Sequence, residues 1–176
     1  VTLNHYTLPV WIHDGLACHQ NLSTCTNRGW LDKERLHREI AKYAGFVAKE
    51  FGGEVDLWAT LNEPFAVVIP GYLQPGKDRV NPPALSLRFD EAKQVALAMI
   101  EGHARMYDAV KANDTGDADG NGKAAEIGLV YPIAPTRPKD PERALDKKGA
   151  ENVFYLYNQL FLDGVLKGTM DENLDG

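Results

Sequence analysis

The stretch that most constrains this chain is Val55-Asp56-Leu57-Trp58-Ala59-Thr60-Leu61, an almost unbroken apolar run that stops at Asn62-Glu63-Pro64-Phe65. A strand with one wet face alternates apolar and polar residues. A run this continuous reads as a strand covered on both faces, and such strands belong to parallel sheets with crossover helices. The flanking sequence supplies the helices. Asp32 is placed to cap a helix whose first turn holds Glu34. Leu36, Ile40, Tyr43, Val47 and Phe51 follow at spacings of 4, 3, 4 and 4, one apolar stripe ended by Gly52-Gly53.

The same alternation continues on both sides. Val1 to Tyr6 reads as a short strand ended by Pro9. Downstream, a Pro- and Gly-rich loop over 70–83 leads to a helix over about Asp90 to Ala112, with Val95, Met99, His103, Met106 and Val110 on one face. A polar loop over 113–123 precedes a strand from Ile127 to Ile133, whose far end Pro132 and Pro135 weaken. A last helix, Gly149 to Lys167, turns Val153, Tyr157, Leu160 and Phe161 inward. Three consecutive βα units with parallel strands define an α/β fold. Three strands cannot close a barrel, and an open parallel sheet would leave two exposed edges. The chain also starts inside an apolar segment, with neither an initiator Met nor a signal-peptide pattern. Residues 1–176 are therefore expected to be one partial domain, incomplete at both ends.

Composition excludes some classes of partner. The net charge of −6 argues against a nucleic-acid footprint, and no apolar run approaches the length of a membrane span. Cys18 and Cys25, seven positions apart, leave a bridge open, since spacing alone does not decide it. With two cysteines and no matching His cluster, no zinc site is expected. A cytoplasmic location is expected, and no cofactor.

Chemistry concentrates at the strand ends. Glu63 is a carboxylic acid at the mouth of a buried strand, where a rigid frame suits proton transfer. Pro64 is expected to hold Glu63 in extended backbone. Asn62 offers an amide beside the acid, suited to hydroxyl recognition. His5-Tyr6, at the same end of the first strand, would face the same mouth, with an imidazole for sugar hydroxyls and a ring for stacking. Taken alone, Asn62-Glu63-Pro64 is equally a strand-to-helix turn.

Together, Val1-Thr2-Leu3-Asn4-His5-Tyr6-Thr7-Leu8-Pro9 and Trp58-Ala59-Thr60-Leu61-Asn62-Glu63-Pro64, with the segment Asn152-Val153-Phe154 to Gly168, resemble family 1 glycoside hydrolases, the β-glucosidase family. The resemblance covers essentially the whole chain. It implies part of a (β/α)8 TIM barrel, roughly strands three to five, with the site at the C-terminal strand ends. It implies Glu63 as general acid/base, Asn62 on the sugar 2-hydroxyl and His5 on another sugar hydroxyl. The reaction implied is retaining hydrolysis of a terminal β-linked sugar from an O-glycoside or oligosaccharide, with two carboxyls about 5 Å apart. The departures are Tyr6 where many members have Trp, Pro132 where Asn is usual, and the absence of the nucleophilic Glu of a Glu-Asn-Gly motif. The isolated chain is therefore expected to be inactive. A 6-phospho-β-glycosidase, or a non-catalytic carbohydrate-binding half-barrel needing a partner chain, are the alternatives. The rest of the barrel, or further copies of the chain, are the expected protein partners.

Asp117, Asp119, Asn121 and Gly122 resemble the first half of a calcium loop, but the twelfth position is Gly128 where an acid is needed. An Asp/Gly turn explains them as well, and no metal is the principal expectation. His103, on an apolar helix face, is expected to be buried and hydrogen-bonded. His13, His19 and His37 are expected to be exposed or in loops.

Overall fold

The structure is a computed structural model that describes residues 1–78 and 80–174. The chain falls into two compact units, Val1–Val130 and Tyr131–Gly176. In the first unit the order is β1 (Thr2–Asn4), α1 (Gly15–Gln20), α2 (Lys33–Phe51), β2 (Leu57–Asn62), α3 (Pro64–Val67), α4 (Phe89–Asn113) and β3 (Glu126–Val130). The sheet order is β1-β2-β3, and both pairings are parallel, as the apolar run in β2 requires. Thr2 stands beside Ala59 and Asn4 beside Leu61, so the ends of β1 and β2 lie level. A register irregularity between Ala59 and Asn62 bends β2 just before the acid.

Helices α2 and α4 cover one face of this sheet. Leu36, Ile40, Ala44 and Ala48 of α2 are buried, as are Val95, Met99, Met106 and Val110 of α4. The buried edge of α2 also takes in His37 and Gly45, while Tyr43 and Phe51 of the expected stripe are each 49% exposed. A helical period shows which residues share a side, not how much of that side a neighbour covers. The sheet behaves likewise. Trp58 and Thr60 turn inward, but Leu57 is 64% exposed and Glu126, Gly128 and Val130 of β3 are open. Two-faced burial of β2 therefore fails at Leu57, although Leu61 further along the strand is buried.

Two local expectations change. Asp32 does stand before α2, but its carboxylate caps nothing. It accepts from the Arg28 backbone N–H at 3.1 Å and from the Arg28 guanidinium at 2.6 Å. The segment after Pro64 is helical further than its Pro and Gly content indicates, with α3 running into a π-helical turn over Val68–Leu73. Cys18 and Cys25 form a disulfide.

His103 is buried as expected, and its Nδ1 lies 2.7 Å from Thr60 Oγ1 on β2. His37 is buried within α2, against expectation, and His13 is buried in the loop before α1. His37 Nε2 reaches the Ala98 carbonyl of α4 at 2.7 Å, which satisfies a ring between two helices. His13 forms a bridge with Arg28 and its Nδ1 meets the Tyr72 hydroxyl at 3.1 Å. Burial lowers the pKa of both His13, to about 4, and His103. His19 is exposed in α1.

In the second unit α5 (Ala144–Phe154) starts before the expected Gly149 and passes through a π-helical turn, Tyr155–Gln159, into α6 (Leu160–Lys167). Gly168 ends α6 with φ of 68°, the left-handed stop that glycine suits. The buried Asn158 side chain exchanges two hydrogen bonds with the Ala134 backbone, at 2.8 and 2.9 Å. Leu160 and Phe161 are buried, whereas Val153 is 48% exposed. None of the helices among the described residues is long and apolar enough to cross a membrane.

Candidate active site

Four candidate residues follow directly from the level ends of β1 and β2. His5 and Tyr6 continue β1 past Asn4, and Asn62 and Glu63 continue β2 past Leu61. The structure joins the two segments through Tyr6, whose hydroxyl donates to Glu63 Oε2 at 2.8 Å. Glu63 is half-buried, and its Oε1 makes no hydrogen bond among the described residues. Its backbone N–H donates to the Val130 carbonyl of β3 at 2.8 Å, and its own carbonyl accepts from Ala66 at the start of α3. Strand β3 thus holds the acid's backbone and Tyr6 holds its carboxylate.

The Glu63 backbone is not extended. Its φ and ψ are 42° and 62°, in the left-handed region. Pro64 does disfavour the right-handed helical region for the residue before it. That leaves the left-handed region open, and the hydrogen bonds on either side select it. Proline at the first helical position then suits the start of α3. Tyr6 is also left-handed, with φ of 71°. The Thr7 N–H donates to the His5 carbonyl at 2.9 Å, closing a three-residue turn around Tyr6. Two non-glycine residues in this region, each at a cost of about 1–3 kcal/mol, sit side by side at one end of the sheet.

The His5 ring lies edge-on to Tyr6, with centroids 4.7 Å apart and planes at 83°. The imidazole of His5 and the amide of Asn62 make no side-chain hydrogen bond among the described residues, so both are available to a ligand. An apolar cavity of about 430 Å³ between β1 and α2 takes in His5, Trp11, Leu36 and Tyr43, but not Glu63. Of the four candidate residues, His5 lines this cavity and Tyr6, Asn62 and Glu63 do not. A carboxyl with one oxygen held and one free, beside an unpaired amide and imidazole, is suited to passing a proton to and from a hydroxylated ligand.

The calcium-loop residues lie at the opposite end of the sheet. Asp117 and Asp119 come together with Asp56, their ligand oxygens all within 4.8 Å of one another. The Asp56 carboxylate accepts from the N–H groups of Ala118 and Asp119, and Asp117 accepts from those of Asn121 and Gly122. The Asn121 side chain turns to Asp119 and to the Lys123 N–H. These bonds fold the loop upon itself and fasten it to Asp56, the residue before β2. Sequence reasoning passed over Asp56, although an acid inside an apolar run signals a buried anchor. It also passed over Asn4, whose buried amide donates to the Thr7 carbonyl at 2.9 Å.

An open parallel sheet carrying an acid at its C-terminal end defines the class: the chain is part of a (β/α)8 barrel of the glycosidase type. Residues 1–175 match the Glycosyl hydrolase family 1, and the chain belongs to that family. It is 40% identical to the β-galactosidase of Pyrococcus woesei over 178 aligned positions, covering 100% of this chain and 34% of that enzyme. It is 32% identical to a 6-phospho-β-galactosidase of Lacticaseibacillus casei, over 96% of this chain and 30% of that one. The crystal structure of the hyperthermophilic β-glucosidase from Pyrococcus furiosus superposes with a TM-score of 0.73 at 28% identity, covering 97% of this chain and 33% of the other. The chain thus spans about a third of the length of the relatives it matches.

Proposed function

We propose that this chain is the acid/base-bearing third of a retaining β-glycosidase. Glu63 protonates the leaving oxygen of a terminal β-linked sugar and then takes a proton from the attacking water. Asn62 and His5 bind hydroxyls of that sugar. The observation that carries the reading is the pairing of Tyr6 with Glu63 at the C-terminal ends of two parallel strands, with Oε1 left free. The nucleophile comes from outside these 176 residues, so the isolated chain turns over no aryl β-glucoside. The sugar class is a neutral β-galactoside or β-glucoside, as the names of the Pyrococcus relatives indicate.

The test is made on the whole enzyme. Glu63→Gln should lower kcat/KM on an alkyl β-glycoside by about 100- to 10,000-fold. The first-formed sugar, followed by proton NMR, should be the β-anomer. An unaffected Glu63→Gln variant overturns the role of Glu63, and a first-formed α-anomer overturns retention. A second reading, a 6-phospho-β-glycosidase, is favoured by the Lacticaseibacillus relative. Preference for a 6-phospho-β-galactoside over the neutral sugar decides for it. A cytoplasmic location belongs to the same proposal; the Cys18–Cys25 bridge of the structure stands against it, because disulfides persist mainly in oxidising compartments, and the state of the thiols in the cell decides. Free thiols trapped by rapid alkylation support it; a closed bridge counts against it.

A further inference from the structure

We infer that Tyr6 is a positioning residue for the acid/base, rather than a stacking platform for sugar. Its hydroxyl holds Glu63 Oε2, so that the travelling proton is confined to Oε1. The inference rests on the reading of Glu63 as the acid/base.

Three observations converge on it. The Tyr6 hydroxyl, the far end of the ring, meets the carboxylate at 2.8 Å. Tyr6 reaches that place through a strained turn, with φ of 71° closed by Thr7 N–H on the His5 carbonyl. That turn is braced from inside the sheet, since Asn4 is 7% exposed and its Nδ2 donates to the Thr7 carbonyl. A ring needed only for its face could be presented from relaxed backbone. A left-handed turn on a non-glycine residue persists where its surroundings over-determine it, and such turns cluster at functional sites. Here the turn delivers a donor to the one acid of the site.

The chemistry balances without moving the tyrosine proton. With Oε2 accepting from Tyr6, the acid form carries its proton on Oε1. That proton passes to the glycosidic oxygen as the bond from the anomeric carbon breaks and its electron pair goes to the leaving oxygen. The carboxylate so formed keeps the Tyr6 hydrogen bond, which offsets its new charge. In the second half-reaction Oε1 takes a proton from water as the water oxygen bonds the anomeric carbon, and Oε1 is protonated again.

The test uses the whole enzyme and two leaving groups. A dinitrophenolate departs without being protonated, whereas an alkoxide does not. Tyr6→Phe should lower kcat/KM on an alkyl β-glycoside by about 10- to 100-fold and leave the dinitrophenyl glycoside within about 3-fold of the unmodified enzyme. Tyr6→Leu, which removes the ring as well, should show the same split. Equal losses on both substrates, no loss in Tyr6→Phe, or a loss confined to Tyr6→Leu overturns the inference; the last outcome would restore the stacking role. Glu63→Gln, run alongside, separates the two claims. A split for Glu63→Gln without one for Tyr6→Phe sinks this inference alone. No split for Glu63→Gln sinks the acid/base reading beneath it.

Discussion

Asp56 and Asp114, at the N-terminal end of the sheet, and Glu63, at its C-terminal end, are carboxylates held in opposite ways. Asp114 is buried, accepting from the Trp58 indole N–H at 2.8 Å and the Gly116 N–H at 3.0 Å. Asp56 is buried too and gathers the backbone of the 117–122 loop. Both have their oxygens used up by neighbours. Glu63 has one donor on one oxygen and sits on strained backbone. The first arrangement is what a structural carboxylate needs, since burial without partners is costly. The second leaves capacity to exchange a proton. In barrels of this kind the C-terminal face carries chemistry and the N-terminal face carries stability. Of these three acids, the carboxylate oxygen left without a donor among the described residues lies at the C-terminal end.

That division breaks if stability and activity respond to the same substitutions. The largest effect should be on activity at the top: Glu63→Gln costs about 3–5 kcal/mol of transition-state stabilisation in steady-state kinetics, with the thermal midpoint nearly unchanged. At the bottom, Asp114→Ala should lower stability by about 3 kcal/mol in denaturant titration, because the buried Trp58 indole and the half-buried Gly116 N–H lose their acceptor. Activity per folded molecule should stay the same. A pH titration of stability gives a comparable but independent effect. His13 is neutral in the fold down to about pH 4, while an unfolded His ionises near 6.5. Its contribution is therefore intact above pH 6.5 and falls at about 1.4 kcal/mol per unit between there and pH 4, roughly 3 kcal/mol in all. His103, shifted the same way by burial, adds to it. His13→Gln should flatten the curve. The smallest effect is the most telling: Glu63→Gly should abolish proton transfer and yet raise stability by up to about 1 kcal/mol, by relieving the left-handed backbone. A loss of stability would mean that the Tyr6 bond outweighs the strain.

Long periodic signals made much of the fold legible. The β2 run and the face of α4 placed two elements within a few residues, and the parallel order followed from β2 alone. What the pattern could not carry was partnership. The stripe on α2 continues through Tyr43 and Phe51, yet nothing among the described residues covers them fully. Likewise Leu57 belongs to the apolar run but faces open space. At the site, the place of Glu63 at a strand end beside Tyr6 was readable, but its backbone was not. A local rule about proline ruled out one helical region, and hydrogen bonds to Val130 of β3 and from Ala66 of α3 decided the rest. Tyr6 was read as a ring, because a sequence shows a residue type and not the direction in which a turn aims its hydroxyl. The histidines teach the converse: His13 and His37 read as exposed or loop residues until partners 59 and 61 positions away were brought to them.

Gly102 lies on α4 next to His103, and a Cβ there would come within 2.7 Å of the Trp30 ring. The indole therefore seats in a notch one residue wide, and Trp30 is 1% exposed. A bulky ring in a single notch indexes the helix, allowing it neither to slide along its axis nor to roll. The same index sets His103 opposite Thr60, three residues before the acid. A Cβ at position 102 would force either the helix or the indole to give way. The packing of α4 against Trp30 thus depends on a hydrogen atom standing where every other residue carries carbon.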